Sequence, residues 1–402
     1  MESSARSDGA NGWREGSGSG PEPSPPSDGE SSTGLRAEWI SEEGRWRELE
    51  PQWDALIRGS ATPSVFGTWA FLEACWTHFA RPGGNDLAIV ALLSGDTLVG
   101  AAPMRVSRGR QFGLPVRRLA RLARWEADRV PALFCLGPRE AECLRAFRDC
   151  LEAHADLWDY LGLVETDPQS SLMHELSAWA ASTPWLREEV QSTAPSPYVD
   201  LSRGWEETQR EFTKQRRAEL RRSRRALDSA GPWDFEFVTG PEIAEALERY
   251  RELEARSWKR KAGQGIGKSD RELAFYRGVV PRLARDGRAQ ISFLRLAGRP
   301  IAGMIDFALG KTVWGSQKTY DSDHSRFSPG NFLEAAVLER WAREGARSYE
   351  LQAQFLGDKG RWTRLSRPNV LFRTTQMRSL RHRLLFPRAW LPLRRLRRSA
   401  EP

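Results

Sequence analysis

Tyr320-Asp321, six further residues, and then Ser328-Pro329-Gly330-Asn331 set a phenol, a carboxylate and a helix start close together in the chain. Ser328 is a favoured N-cap type, Pro329 suits a first helical position where the missing N–H costs nothing, and Gly330 allows close approach to the backbone. The unpaired N–H groups of such a helix start, with the positive end of its dipole, attract an anion such as a phosphate. A well-capped surface helix without a ligand is the alternative reading. Lys318 precedes Tyr320 by two positions in a strand-like run, so period-two alternation puts both side chains on one face. Lysine is itself unusual here: of 61 basic residues only seven are lysine (Lys214, Lys259, Lys261, Lys268, Lys311, Lys318 and Lys359), all in the second half, which gives each a raised claim to a local role.

Other constellations resolve against chemistry. Ala262-Gly263-Gln264-Gly265-Ile266-Gly267-Lys268-Ser269 fits a permissive phosphate-loop pattern, but the charged run Glu252–Lys261 before it has no strand character, so a glycine-rich loop near the site is the better reading. Asp321-Ser322-Asp323-His324-Ser325 opens like a calcium loop, yet Arg326 stands where glycine is needed and Phe332 where glutamate is needed. The five histidines never fall at ligand spacing and no G-x-S-x-G elbow occurs, so no metal site and no serine hydrolase are expected. The helix predicted around residues 210–225 carries Arg216, Arg217, Arg221, Arg222, Arg224 and Arg225, but lacks interleaved aromatics for stacking bases.

Thr312–Thr319 is a β-branched and aromatic strand, Gly330–Glu344 an amphipathic helix with Leu333, Val337 and Trp341 on one face, and Arg347–Gln352 a further strand. Upstream, a helix over Leu273–Arg285 leads to a hairpin, Gln290–Leu296 and Ile301–Leu309, turning at Gly298. The first half repeats this pattern: a helix over Ala70–Ala80, a hairpin of Leu87–Leu93 and Leu98–Val106 turning at Gly95, a helix over Glu140–His154 and a strand over Leu157–Val164. Gly95 and Gly298, like Gly100 and Gly303, are 203 positions apart, the signature of a tandem duplication. The first unit lacks Tyr-Asp and Ser-Pro-Gly; Asp128-Arg129-Val130-Pro131 and Leu136-Gly137-Pro138 are its nearest equivalents. Residues 185–200 are expected to be the junction, with Pro195 and Pro197 as breakers.

The length of 402 residues suggests two or three domains. Residues 1–34, rich in Gly, Ser and Pro, are expected to be a disordered tail. A first α+β domain spans 35–192, a second spans 193–376, and a basic amphipathic tail spans 377–402. Each domain is expected to be a mixed β-sheet flanked by helices. Four cysteines without a C-x-x-C pair, no apolar leader and no long apolar run point to a reduced, soluble, cytoplasmic protein. The net charge of +8 gathers in the basic helix and in the tail, where Leu384, Leu385, Phe386, Trp390, Leu391 and Leu393 lie among arginines, so peripheral contact with the inner face of an anionic membrane is a further expectation.

Five motifs in order, Arg217-x-x-Leu220-Arg221-Arg222, Ser257-Trp258-Lys259, Gly298-Arg299-Pro300-Ile301-Ala302-Gly303, Tyr320-Asp321 with Ser328-Pro329-Gly330, and Asp358-Lys359-x-x-Trp362, resemble the BioF-like or CelD-like acetyltransferases of the GNAT superfamily. That family is similar to the FemAB aminoacyl transferases, which also use two such domains in tandem. The resemblance covers about residues 198–375 well and the first half only in element order. It implies tandem GNAT-like (acyl-CoA N-acyltransferase-like) domains, the second catalytic and the first supporting. The implied donor is acetyl-CoA or another acyl-CoA, its pantetheine arm between two splayed strands and its pyrophosphate on a helix N-terminus. Arg326, Ser328, Pro329, Gly330 and Asn331 would then form the cofactor site, although Arg326 is one residue out of register with the usual phosphate signature. The alternative donor is aminoacyl-tRNA, or the chain is a nucleic-acid-binding module.

Acyl transfer needs a base for the incoming amine or hydroxyl, a donor for the carbonyl oxygen and an acid for the leaving thiolate. Asp306 and Asp321 are the candidate bases and Tyr320 the candidate acid. Lys318 is placed to bind an anionic acceptor or hold the tyrosine, and by the resemblance Trp258, Lys259, Lys359 and Trp362 line the same cleft. The acceptor implied is a small molecule or glycan, such as an amino sugar or a polysaccharide precursor.

Overall fold

The computed structural model describes residues 34–123, 129–352, 357–378, 382 and 384. All but the last residue of the expected N-terminal tail, Asp128, and nearly all of the basic C-terminal tail lie outside the described residues.

The first half runs β1 (Arg36–Ile40), α1 (Glu43–Arg47), α2 (Glu50–Gly59), α3 (Trp69–Cys75), β2 (Asp86–Ser94), β3 (Thr97–Gln111), β4 (Leu114–Arg121), β5 (Phe134–Cys135), α4 (Glu140–Ala153), β6 (Tyr160–Thr166) and α5 (Ser171–Ser182). After β7 (Leu186–Asp200) come α6 (Trp205–Glu211), α7 (Lys214–Ala230), β8 (Trp233–Val238), α8 (Ile243–Ala255), α9 (Trp258–Lys261), α10 (Asp270–Arg285), β9 (Ala289–Leu296), β10 (Arg299–Leu309), β11 (Thr312–Tyr320), α11 (Pro329–Arg343), β12 (Ser348–Glu350) and β13 (Ser366–Gln376). The architecture is α+β, a mixed sheet flanked by helices. Both hairpins form where the glycine turns predicted them: Gly95 and Gly298 take positive φ of 59° and 75°, the twist that tight hairpin turns require. In each half the hairpin is followed by a parallel pair, β4 with β6 and β11 with β12, and a helix, α4 or α11, connects its two strands.

The strand order is β1-β2-β3-β4-β6-β13-β7-β12-β11-β10-β9-β8, with β5 pairing off β3. The last strand, β13, is therefore inserted beside β6 of the first half and pairs along most of β7. The junction is not broken by its prolines. Residues 186–200 form one strand whose early part pairs with β13 and whose end, Tyr198–Asp200, pairs with β12. Proline lacks a ladder N–H, and the strand accommodates this with a register shift opposite Arg367–Asn369. There the Asn369 amide donates to Ala194 O at 3.1 Å and Ser196 Oγ at 2.6 Å.

The two halves share a core. Phe71 of α3 meets Phe275 of α10 at 5.4 Å between ring centroids, and Phe66 meets Trp314 at 5.6 Å. Trp46 and Trp53 are fully buried in the same cluster, and each such ring contributes about 2–3 kcal/mol on burial. Across this seam Arg288 pairs with Asp54 at 2.6 Å and Arg282 with Glu73 at 2.9 Å. No helix among the described residues is long and apolar enough to cross a membrane.

Candidate active site

The parallel pair β11–β12 holds register only over Thr312↔Ser348, Val313↔Tyr349 and Trp314↔Glu350. Past that point β11 runs on to Tyr320, while Leu351 stays with β7, where it donates its N–H to Pro197 O at 3.1 Å. The two strands therefore part, and the first turn of α11 stands at the opening.

A bulge decides which side chains face α11. Ile305 pairs with Gln317 but Asp306 pairs with Gly315, so Ser316 has no partner in the register and the alternation flips. Val313 and Gly315 lie on the α11 face before the bulge; Lys318 and Tyr320 lie on it afterwards, sharing a face as the spacing predicted. A Cβ built on Gly315 would sit 2.5 Å from the Tyr349 hydroxyl, and one on Gly330 would touch Tyr320 at 3.4 Å and Lys318 at 3.7 Å.

Lys318 Nζ donates to Glu334 Oε2 at 2.6 Å and to Asn331 Oδ1 at 3.3 Å. The Asn331 amide donates to Glu219 of α7 at 3.0 Å. Glu219 in turn accepts from Arg216 at 2.7 Å, and Arg216 also pairs with Asp358 at 2.6 Å. The Arg216 guanidinium is fully buried over the Trp362 ring, 4.3 Å from its centroid. A polar chain thus runs from the turn carrying Lys359 through α7 and the first turn of α11 to Lys318. The sequence reading missed Glu334, Glu219 and Arg216. Asn331 and Glu334, three apart on a predicted helix start, were the available signal for the first of these.

Several sequence-predicted residues occupy other roles. Asp306 does not face an open cleft: it is fully buried and accepts the Tyr349 hydroxyl at 2.5 Å. Burial lifts its pKa to about 7 against the lowering effect of that hydrogen bond, with Glu334 adding to the rise. Asp321 forms an ion pair with Arg256 at 2.9 Å and accepts the Asp323 N–H at 3.1 Å. Burial acts to raise its pKa, but Arg256 and the Asp323 N–H hold it below the ordinary carboxylate range, which makes it a weak base. Trp362 is 1% exposed, a core residue rather than a lining one. Ser328 precedes α11 as expected but in left-handed conformation, φ 48° and ψ 46°, and its hydroxyl caps nothing. Its carbonyl instead accepts from Asn331 N at 3.1 Å and Phe332 N at 3.0 Å, and Pro329 and Gly330 are buried. Arg326 is exposed, stacked on Phe327 at 4.7 Å.

Lys259 meets β11 from the opposite face, its Nζ 2.8 Å from Gln317 Oε1, and Gln317 donates to the Tyr276 hydroxyl at 2.9 Å. Trp258 beside it is 46% exposed. Lys359 donates to the carbonyl of Gln352. The glycine-rich loop, which follows helices rather than a strand, wraps the buried carboxylate of Glu254. Gly267 N–H donates to that carboxylate at 2.9 Å, and a Cβ on Gly265 would lie 2.2 Å from it. Among the described residues no group of His, Cys, Asp and Glu could hold a metal ion.

A cavity of about 410 Å³ opens on the seam between the halves, with Trp314 and Glu350, the last pair before the strands part, in its wall beside Arg129, Cys135 and Glu140.

Residues 214–360, from the start of α7 to just past Lys359, match the acetyltransferase (GNAT) domain family. No protein of curated function matches the chain in sequence. Among solved structures the chain is similar in fold to FemX, at 10% identity and a TM-score of 0.56 over 84% of this chain and 97% of that one. It is also similar to a conserved protein of unknown function from Bacteroides thetaiotaomicron, at 11% identity and a TM-score of 0.54 over 85% of this chain and 100% of the other. A third is the C-terminal domain of an Agrobacterium fabrum protein described as a lysylphosphatidylglycerol synthetase, at 13% identity and a TM-score of 0.50 over 81% of this chain and 91% of that one.

Proposed function

Residues 214–360 form a GNAT acetyltransferase domain, and from that premise we propose that this acyltransferase moves an acyl group from acyl-CoA to an amine or hydroxyl on a small-molecule or glycan acceptor. The observation that carries the reading is the parting of β11 from β12 after Trp314–Glu350, with Lys318 held at the opening by Glu334. A thioester arm lying along Gly315–Tyr320 would meet backbone that has no partner on β12. The co-substrate supplies an acyl group activated as a thioester.

In this reading Lys318 turns its ammonium toward the carbonyl oxygen as charge develops there, and Glu334 fixes its position. Tyr320, half-buried beside it, donates a proton to the leaving thiolate. Asn331 and Ser328 at the start of α11, with exposed Arg326, face the phosphates of the donor. Asp306 and Asp321 act as supports, the first through Tyr349 and the second through Arg256. Lys259 and Trp258 approach β11 from the other face and serve the acceptor. The test is acetyl-CoA turnover followed by free-thiol release against a panel of amines and amino sugars; a chain that binds no acyl-CoA and releases no thiol with any acceptor contradicts the reading.

One observation favours a second donor. Lys214, Arg221, Arg222, Arg224 and Arg225 are exposed along α7 beside the site, and none forms an ion pair among the described residues. Such a row suits a polyanion, so aminoacyl-tRNA is the alternative, recognised by binding that falls steeply with salt.

A further inference from the structure

Away from the strand opening, two cysteines converge on one glycine. Cys135 of β5 pairs in register with Gly100 of β3, and residues so opposed hold their Cβ positions about 4.5–5.5 Å apart on one face of the sheet. Cys143, one turn into α4, lies over the same spot: its Sγ is 3.1 Å from where a Cβ on Gly100 would be, and 3.8 Å from Val99 O. The glycine leaves the space that the second thiol fills. Both cysteines are unoxidised and buried, and Cys135 is among the residues that wall the 410 Å³ seam cavity, the side from which a molecule of peroxide size would reach the pair. Cys75 and Cys150 line no part of that cavity.

We propose that Cys135 and Cys143 are a peroxide-sensitive modification site that closes to an intramolecular disulfide. Hydrogen peroxide entering the cavity oxidises Cys135: an Sγ–O bond forms, the O–O bond breaks, and the thiol proton leaves with the departing oxygen as water. Cys143 then attacks the Cys135 sulfur; the S–S bond forms, the S–O bond breaks, and a second water leaves carrying the Cys143 proton. Two thiols and one peroxide give one disulfide and two waters. Contact with Cys135 and, against burial, the Arg139 guanidinium draw the Cys143 thiol below its ordinary range, while the same contact and burial push the Cys135 thiol up. Cys143 is therefore the better nucleophile for the resolving step, and oxidation of Cys135 is the slow step. Closing the bond ties β5 to the start of α4, two walls of the seam cavity, so it alters the wall that faces Trp314 and Glu350.

The experiment uses the full reduced chain, desalted and treated with hydrogen peroxide, then denatured for thiol counting and digested without reduction for mass spectrometry. The expected result is a fall from four titratable thiols to two, a Cys135–Cys143 linked peptide lighter by two hydrogens, and recovery of all four with dithiothreitol. In Cys143→Ala, Cys135 is expected to accumulate as a sulfenic acid trapped by dimedone. Retention of all four thiols, a disulfide involving Cys75 or Cys150, or thiol loss that dithiothreitol does not reverse overturns the proposal. The peptide map of the unmutated chain decides the matter even where the variant does not fold.

Discussion

Lys318 on β11 and Glu334 on α11 meet at 2.6 Å across the opening left where β12 turns away. The lysine is one-third exposed while the carboxylate is almost fully buried, so the pair presents a fixed positive charge outward from an internal anchor. Replacing Lys318 with Ala removes that charge and leaves Glu334 unpaired. Acyl transfer is expected to fall by about 10²–10³-fold, the usual loss of a group that stabilises developing charge. Glu334→Gln keeps the lysine but loosens it, and should cost less. A thiol-release assay on the two variants reads the difference.

Arg216 is buried among Glu219, Asp358 and the Trp362 ring. Removing one member of such a network strands the others, so Arg216→Ala is expected to lose about 3–5 kcal/mol of stability. Urea unfolding measures this directly, and a loss under about 1 kcal/mol would show that the network carries little.

Asp306 gives a pH signature. Its pKa in the folded chain, about 7, lies above the ordinary value of 3.8, so the folded state holds the proton more tightly than the unfolded one. Its contribution to stability is complete below the ordinary carboxyl range, declines as pH rises and is gone above about 7, a span worth up to about 4 kcal/mol. In Asp306→Asn this slope should vanish. Denaturation midpoints of both chains between pH 4 and about 8 are the check, and parallel curves would contradict the assignment.

Gly265 sits at φ 95° with the Glu254 carboxylate where a Cβ would go. Gly265→Ala should therefore expel the carboxylate or the loop at a cost of about 2 kcal/mol or more. It should also raise proteolysis at residues 262–268.

A chain beginning at Pro197 keeps the whole matched domain, yet it strips β13 of β6 and of most of β7. It is expected to show no cooperative thermal transition. A sharp transition would show that the inserted strand is dispensable.

The repeat, both hairpins, α11 and the shared face of Lys318 and Tyr320 were legible because glycine turns and period-two alternation are local signals. The insertion of β13 was not, since strand order depends on partners far away in sequence. Pro195 and Pro197 misled because a bulge sits beside them and the Asn369 side chain ties Ala194 O and Ser196 Oγ across it, so the strand continues. Of the candidate site, the closeness of Lys318, Tyr320 and the helix start at Gly330 was legible. The site was not legible in Asp306, whose burial only the packed α11 reveals, nor in Arg216, one arginine among many whose partners lie in two separate segments.

The proposed function places an acyl-CoA in the opening between β11 and β12, against Lys318. Calorimetric titration of the full chain with acetyl-CoA, beside Lys318→Ala and a chain with Arg221 and Arg222 both changed to Ala, is the decisive measurement. Saturable binding that Lys318→Ala weakens and the double arginine variant leaves intact is expected. No heat with any acyl-CoA, together with salt-sensitive binding of aminoacyl-tRNA that the double variant abolishes, would contradict it.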